Sequence, residues 1–189
     1  MSSLLITAPA AEPLTLAEAR AFLRVEHNDD DALIEALIAG ARIHVEAQTR
    51  RALITQSWRL IFDAWPADGR IEVRPAPLQT LTAARVHDAN GEAQAIDTQA
   101  FVANLGASAL AFMPWALPAA GQSAAGIELD VTVGYGAAAS DVPEPLRQAV
   151  RLLVAHWYEN RGLVAASGQG AALPAGVAAL IAPYRVVSL

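Results

Sequence analysis

The sequence predicts an α+β fold in which an antiparallel β lobe is inserted between helical segments and a flexible tail ends the chain. Three observations carry this. Apolar residues recur at intervals of three and four over residues 15–51 and again over 141–162. Residues 52–136 switch to alternating patterns punctuated by Gly, Pro and an Asn-Gly pair. Beyond Gly162 a run of small residues carries neither period.

Residues 1–13, ending in AAEP, read as an arm outside the core. Thr15-Leu16-Ala17-Glu18 is a capping box, and Leu16, Ala19, Phe22 and Leu23 make a short amphipathic helix ending near Arg24–Val25. HNDDD at 27–31 offers Asn28 or an Asp as N-cap for a long helix over Asp31–Arg51. Its predicted inner face is Leu33, Leu37, Ile38, Ala41 and Val45, with Glu35, Arg42, Glu46 and Arg50 turned outward.

The lobe at 52–136 is read as roughly six strands in a meander. Thr55–Phe62 and Ile71–Arg74 come first, then a run alternating at Leu81, Ala83 and Val86. Ala89-Asn90-Gly91-Glu92 is a hairpin turn leading to Gln94–Asp97 and Phe101–Asn104. Ala109–Met113 and Ile127–Val133 complete the lobe.

Asp141–Gly162 is the best-signalled helix. Asp141 is its expected N-cap, with Glu144 in capping-box position and Pro143 and Pro145 in the first turn. Leu146, Val150, Leu153, Val154, Trp157 and Tyr158 face inward, and Arg161-Gly162 supplies the stop. Residues 163–189 divide into a small-residue linker, one or two helical turns at Val177–Ala182, and an apolar end. That end either tucks back on its own chain or docks on a partner.

Composition narrows the function. Much of the 54% hydrophobic content of this 189-residue chain is alanine, 43 residues of it. No apolar run reaches the roughly 18–20 residues that cross a bilayer, and the N-terminus lacks a basic region. A soluble protein made in the bacterial cytoplasm is therefore expected. The absence of cysteine removes disulfides, thiolate catalysis and Cys-based zinc sites. All 13 basic residues are Arg and the net charge is −6, a balance opposed to wrapping DNA by phosphate neutralisation.

No phosphate loop, dinucleotide fingerprint, GxSxG elbow or HExxH string is present. His27, His44, His87 and His156 lie far apart, and Ser167 sits in the small-residue linker. The adjacent side chains of Asp29, Asp30 and Asp31 diverge and do not suit a cation site. Glu128 and Asp130 alternate on the polar face of a strand, where solvation explains them. Neither a catalytic residue nor a cofactor or metal site is predicted, and the chain reads as a non-enzyme. The competing reading is a monomeric carbohydrate-binding module or small hydrolase that uses Trp58, Trp65 and Trp115 of the lobe.

Three blocks carry a family resemblance. They are PLTLAEARAFLRVEHNDDDALIEALIAGARIHVEAQTRRALITQSW, the GYG…DVPEPLRQAVRLLVAHWYENRG segment, and LPAGVAALIAPYR. Together they resemble the head–tail connector, or adaptor, proteins of long-tailed bacteriophages, prophages and gene transfer agents. The resemblance implies one adaptor domain in which the N-terminal helices and the 141–162 helix form a bundle with an inserted β lobe. It also implies a ring, a dodecamer, under the portal protein, with a stopper or tail-completion protein on the other side and DNA sliding through unbound. On that reading Tyr184, Arg185, Val187 and Leu189 are the expected docking residues for the portal or a neighbouring ring. Arg147 and Arg151 are the subunit–subunit candidates, and Glu128, Asp130 and Asp29–Asp31 are candidates for flanking the channel.

Overall fold

The structure, a computed structural model, describes residues 2–160 and 174–186. The fold is α+β, and the chain forms two compact units, one of Met1–Ala10 with Thr55–Tyr135 and one of Ala11–Ile54 with Gly136–Leu189.

In the helical unit, α1 (Leu16–Leu23) starts as the sequence predicts. Thr15 and Glu18 form both halves of the capping box, and Arg24 ends the helix in the left-handed region. Helix α2 (Asp31–Thr49) likewise ends on a left-handed residue, Arg50. Its inner face runs through Ile34, Ile38, Ala41, Val45 and Thr49. Leu33 is exposed, so the expected face is shifted by one residue at its start. Asp30 precedes the helix but does not cap it with its side chain, because the carboxylate accepts a hydrogen bond from the Tyr158 hydroxyl at 2.5 Å.

Arg42 and Glu46 are not the outward pair expected. Arg42 bonds Glu12 and Glu46, each at 2.8 Å, and the second Glu46 oxygen accepts from the Leu53 amide at 2.8 Å. Burial would lower the pKa of Arg42, but its two carboxylate partners outweigh that and raise it.

Helix α3 (Glu144–Glu159) buries Leu146, Ala149, Val150, Leu153 and Val154, largely against α2. Its start differs from expectation. Asp141 closes a separate 3₁₀ turn, Ala139–Asp141, by accepting from the Ala138 amide at 2.9 Å, and α3 begins only after Pro143. Trp157 and Tyr158 are half-buried, and the expected stop at Arg161-Gly162 lies outside the described residues, as does residues 163–173 of the linker. Helix α4 (Ala175–Ile181), followed by a 3₁₀ turn at Ala182–Tyr184, packs on α3 and α2. Val177 and Ile181 are fully buried, so this stretch of the tail folds on its own chain.

The β unit contains a five-stranded antiparallel sheet in the order β1 (Ser2–Thr7), β2 (Gln56–Phe62), β8 (Ile127–Val133), β4 (Leu78–His87) and β5 (Ala93–Ile96), and a three-stranded sheet in the order β3 (Arg70–Glu72), β7 (Ala109–Phe112) and β6 (Phe101–Asn104). Strand β8 (Ile127–Val133) lies at the centre of the larger sheet, with Ile127, Leu129, Val131 and Val133 fully buried. Its neighbours are β2 (Gln56–Phe62) and β4 (Leu78–His87). Two register irregularities in β4, at Leu78/Thr80 and Leu81/Ala83, change the facing of the strand. Leu78, Ala84 and Val86 are therefore buried, while Leu81 and Ala83 of the expected face are only partly so.

The turn to β5 (Ala93–Ile96) is the expected one. Gly91 sits at φ +87, and the Asp88 carboxylate accepts from the amides of Asn90 and Glu92 at 2.8 and 2.9 Å. The meander then breaks, since β6 (Phe101–Asn104) leaves β5 and pairs with β7 (Ala109–Phe112), which also pairs with β3 (Arg70–Glu72). Phe101, Phe112 and Trp65 fill one side of this small sheet, with ring centroids 5.2–5.9 Å apart.

The expected N-terminal arm is instead a strand. Ser2–Thr7 forms β1, antiparallel to β2, from Ser2 opposite Ile61 to Thr7 opposite Ser57.

Candidate assembly surfaces

Arg147 and Arg151 project from the first turns of α3. Arg147 reaches Glu18 at 2.7 Å, Glu144 at 3.1 Å and the Pro13 carbonyl at 3.0 Å. Arg151 bonds Glu144 and lies 3.9 Å from Glu18. Both guanidinium groups thus tie the α1 N-terminus to the start of α3, and their side chains are only 14% and 17% exposed. The carboxyl of Glu18 is held below its ordinary value, first by the Thr15 amide and further by Arg147, with burial opposing. That of Glu144 is lowered chiefly by its hydrogen bond from Arg151.

Of the four docking residues named from the tail, two lie within the described residues. The Tyr184 carbonyl accepts from Arg51 Nε at 2.8 Å, and Arg185 Nη2 donates to Gln48 Oε1 at 2.6 Å. The Val186 amide is 3.4 Å from the Thr49 carbonyl. This last contact uses the carbonyl of the final α2 residue, a group whose intrahelical partner is missing at a helix end. Val187 and Leu189 lie outside the described residues.

The polar face of β8 is an ion-pair row rather than a solvated one. Asp130 accepts from Arg59 Nε at 2.7 Å and Nη2 at 3.1 Å, and from Arg85 Nη1 at 2.7 Å. Glu128 is 3.2 Å from Arg59 and 3.6 Å from His87. Burial would raise the pKa of Asp130, but hydrogen bonds from Arg59 and Arg85 overcome it and keep the carboxyl below its ordinary value. The partners lie 71 and 45 residues away in sequence, so no local spacing announces them.

In the 29–31 cluster, Asp31 faces Arg20 at 3.3 Å and Asp30 binds Tyr158. The Asp29 side chain is 93% exposed. Among the described residues, no group of three His, Asp or Glu side chains is placed to hold a metal ion. His44 packs edge-on to Trp157 with centroids 6.0 Å apart, and His156 lies in the last turn of α3. Ser167 is outside the described residues.

The lobe tryptophans do not build a sugar platform. Trp65 belongs to the Phe101–Phe112 cluster and donates to the Pro118 carbonyl at 2.8 Å, while Trp58 donates to Gln56 at 3.1 Å. Trp115 is 82% exposed. Sequence reasoning missed the outward apolar side chains of β1, for which the uncharged run SSLLIT was the available signal.

Comparison with known proteins bears on what such surfaces serve. The family profile of the phage gp6-like head-tail connector protein matches residues 13–100. No curated protein matches the chain. Among solved structures, a chain from the neck of an empty gene transfer agent (GTA) particle, computed with C6 symmetry, is 31% identical with a TM-score of 0.83. The alignment covers 100% of this chain and 97% of that one. A chain from the virion of a native GTA particle gives the same identity, coverage and TM-score. A third, from the neck of a native GTA particle computed with C12 symmetry, is 31% identical over the same shares with a TM-score of 0.80. Likeness at this identity along the whole length, joined to the connector profile over the first half, shows that the chain belongs to the head–tail connector family of phages and gene transfer agents.

Proposed function

We propose that the protein is a ring subunit of the particle neck, twelve copies sitting beneath the portal, joining head to tail and leaving an open channel for DNA. The observation that carries this reading is the whole-chain likeness to a component of a neck with C12 symmetry. The helices of the Ala11–Ile54 and Gly136–Leu189 unit act as the rigid bundle of the subunit, stiffened by the Arg147–Glu18 and Arg151–Glu144 bonds. The outer edge of that network, at Arg147 and Arg151, faces a neighbouring subunit. The chain end, from Tyr184 and Arg185 through Val187 to Leu189, meets the portal, and a stopper or tail-completion protein binds the opposite side of the ring.

The work of such a subunit is mechanical rather than catalytic. A net charge of −6 suits a passage that must not grip phosphate. Of the acidic residues considered for the channel, Glu128 and Asp130 are neutralised by Arg59 and Arg85, which leaves Asp29 the most open.

Deleting the gene in a particle-producing host tests the reading. DNA-filled heads and free tails are expected to accumulate separately and to be joined again when the gene is restored. Intact tailed particles at normal yield would overturn it.

A further inference from the structure

The β unit carries two apolar surfaces that its own fold leaves uncovered. The first is strand β1, the edge of the five-stranded sheet. All six of its residues are exposed, including Leu4, Leu5 and Ile6, and among the described residues no further strand lies beside its outer edge. Edge strands are ordinarily guarded by charge, Pro or a covering element. Strand β1 contains none of the first two, and residues 1–11 include no charged side chain.

The second surface is the outer face of the small sheet. Val102 pairs with Ala111 across the β6–β7 ladder, and Met113 extends the same face beyond the strand end. Trp115 follows in a 3₁₀ turn. Val102 is 69% exposed, Met113 60% and Trp115 82%, whereas Phe101 and Phe112 on the other side are buried. Residues 98–127 contain no charged side chain at all, in a chain whose charged content is 17%. Charge depletion with exposed Trp and Met is the composition of an interface centre, not of a solvated surface.

A closed ring requires a head-to-tail contact, in which two different surfaces of the same chain meet. The two apolar surfaces are different from each other and belong to one unit, so every copy presents both. We propose that the β unit forms a lateral contact of the ring, the exposed apolar side chains of β1 in one copy seating against the Val102–Met113 face, and the Trp115 that follows it in sequence, of the next. The occupant of each surface is a second copy of this chain. The inference rests on the ring reading above.

The natural absence of cysteine makes the test direct. Particles are made with the double variant Leu4→Cys/Met113→Cys, treated with a short bismaleimide and run on a denaturing gel, while their necks are imaged. A ladder of linked copies is expected from the double variant, with each single variant remaining monomeric. Monomers alone from necks that image as rings would overturn the proposal, as would a ladder from Leu4→Cys alone, which would indicate like-to-like contact.

Charge variants cover the case in which the cysteine chain fails to assemble. Leu4→Glu and Met113→Arg are each expected to lower neck assembly by roughly tenfold or more without lowering the melting temperature, and to restore one another when combined on one chain. Normal assembly of both single charge variants would also overturn it. If wild-type necks lack the ring altogether, the proposed function fails instead, so the two failures are distinguishable.

Discussion

Arg59 lies side-on to Asp130, with Nε 2.7 Å from Oδ1 and Nη2 3.1 Å from Oδ2, across the β2–β8 ladder. The fork geometry fixes both side chains, and Arg85 closes the carboxylate from the β4 side. Asp130 therefore links the three central strands of the larger sheet. Asp130→Asn keeps the shape but leaves two guanidinium groups with Glu128 as their acidic partner. It is expected to cost about 1–3 kcal/mol, below the loss for a fully buried pair because the arginines retain some solvent. Urea unfolding measures it, and Asp29→Ala, at a solvent-facing carboxylate, is the matched control expected to change little.

Acid stability follows from the same carboxylates. Asp130, Glu18 and Glu144 are all shifted below their ordinary values in the folded chain. A depressed folded pKa contributes stability that is fully present above the unfolded value, here 3.8 for Asp and 4.5 for Glu, and is lost as pH falls through the folded value. Stability is thus expected to fall as the pH drops below 4.5, with a shallower fall in Asp130→Asn. Urea midpoints measured across that acid range in both proteins check the sign.

Two glycines are expected to respond to alanine in opposite directions. Gly40 lies inside α2, and an added methyl would meet Trp157 at an ordinary 3.5 Å. Gly40→Ala is expected to stabilise by about 0.5–1 kcal/mol through helix propensity. Gly69 sits at φ +68, and an added methyl would come within 2.4 Å of the Phe112 carbonyl oxygen. Gly69→Ala is expected to destabilise by about 1–3 kcal/mol through strain. Thermal melts of the pair compare them directly.

The tail helix is part of the free subunit. Ile181 is fully buried in α4, so Ile181→Ala is expected to cost about 2–4 kcal/mol before any partner is added. Leu153→Ala in α3, equally buried, provides the reference for a core deletion in the same unit. Chemical denaturation of the isolated protein reads both, and an Ile181→Ala chain as stable as wild type would mean that α4 does not pack in solution.

The elements legible in the sequence were those specified locally. Thr15 and Glu18 are three residues apart and close one capping box, and Asn90-Gly91 selects one turn. Asp141 and Glu144 have the same spacing, but the Asp141 carboxylate finds the Ala138 amide upstream, and the 3₁₀ turn that results displaces the start of α3. Strand β1 escaped notice because burial alternation is absent where no side chain is buried; only main-chain pairing with β2 defines it. In β4 the alternation was present and Val86 is buried as expected, but the register irregularities put Leu78 and Ala84, rather than Leu81 and Ala83, on the buried face with it.

The assembly surfaces were less legible than the fold. Arg147 and Arg151 stood out as cations on the flank of a helix, yet their Glu18 partner comes from α1. The Asp130 row is assembled from three strands remote in sequence. Trp115 was visible as an aromatic, but its exposure depends on the turn that follows β7 and leaves Phe112, not Trp115, in the core.

The central claim is that copies of this chain form a neck ring on the portal. Electron microscopy of the purified protein mixed with the portal of the same particle tests it most directly. Portals capped by a second ring of twelvefold symmetry are the expected result. Bare portals beside a monomeric protein would contradict it.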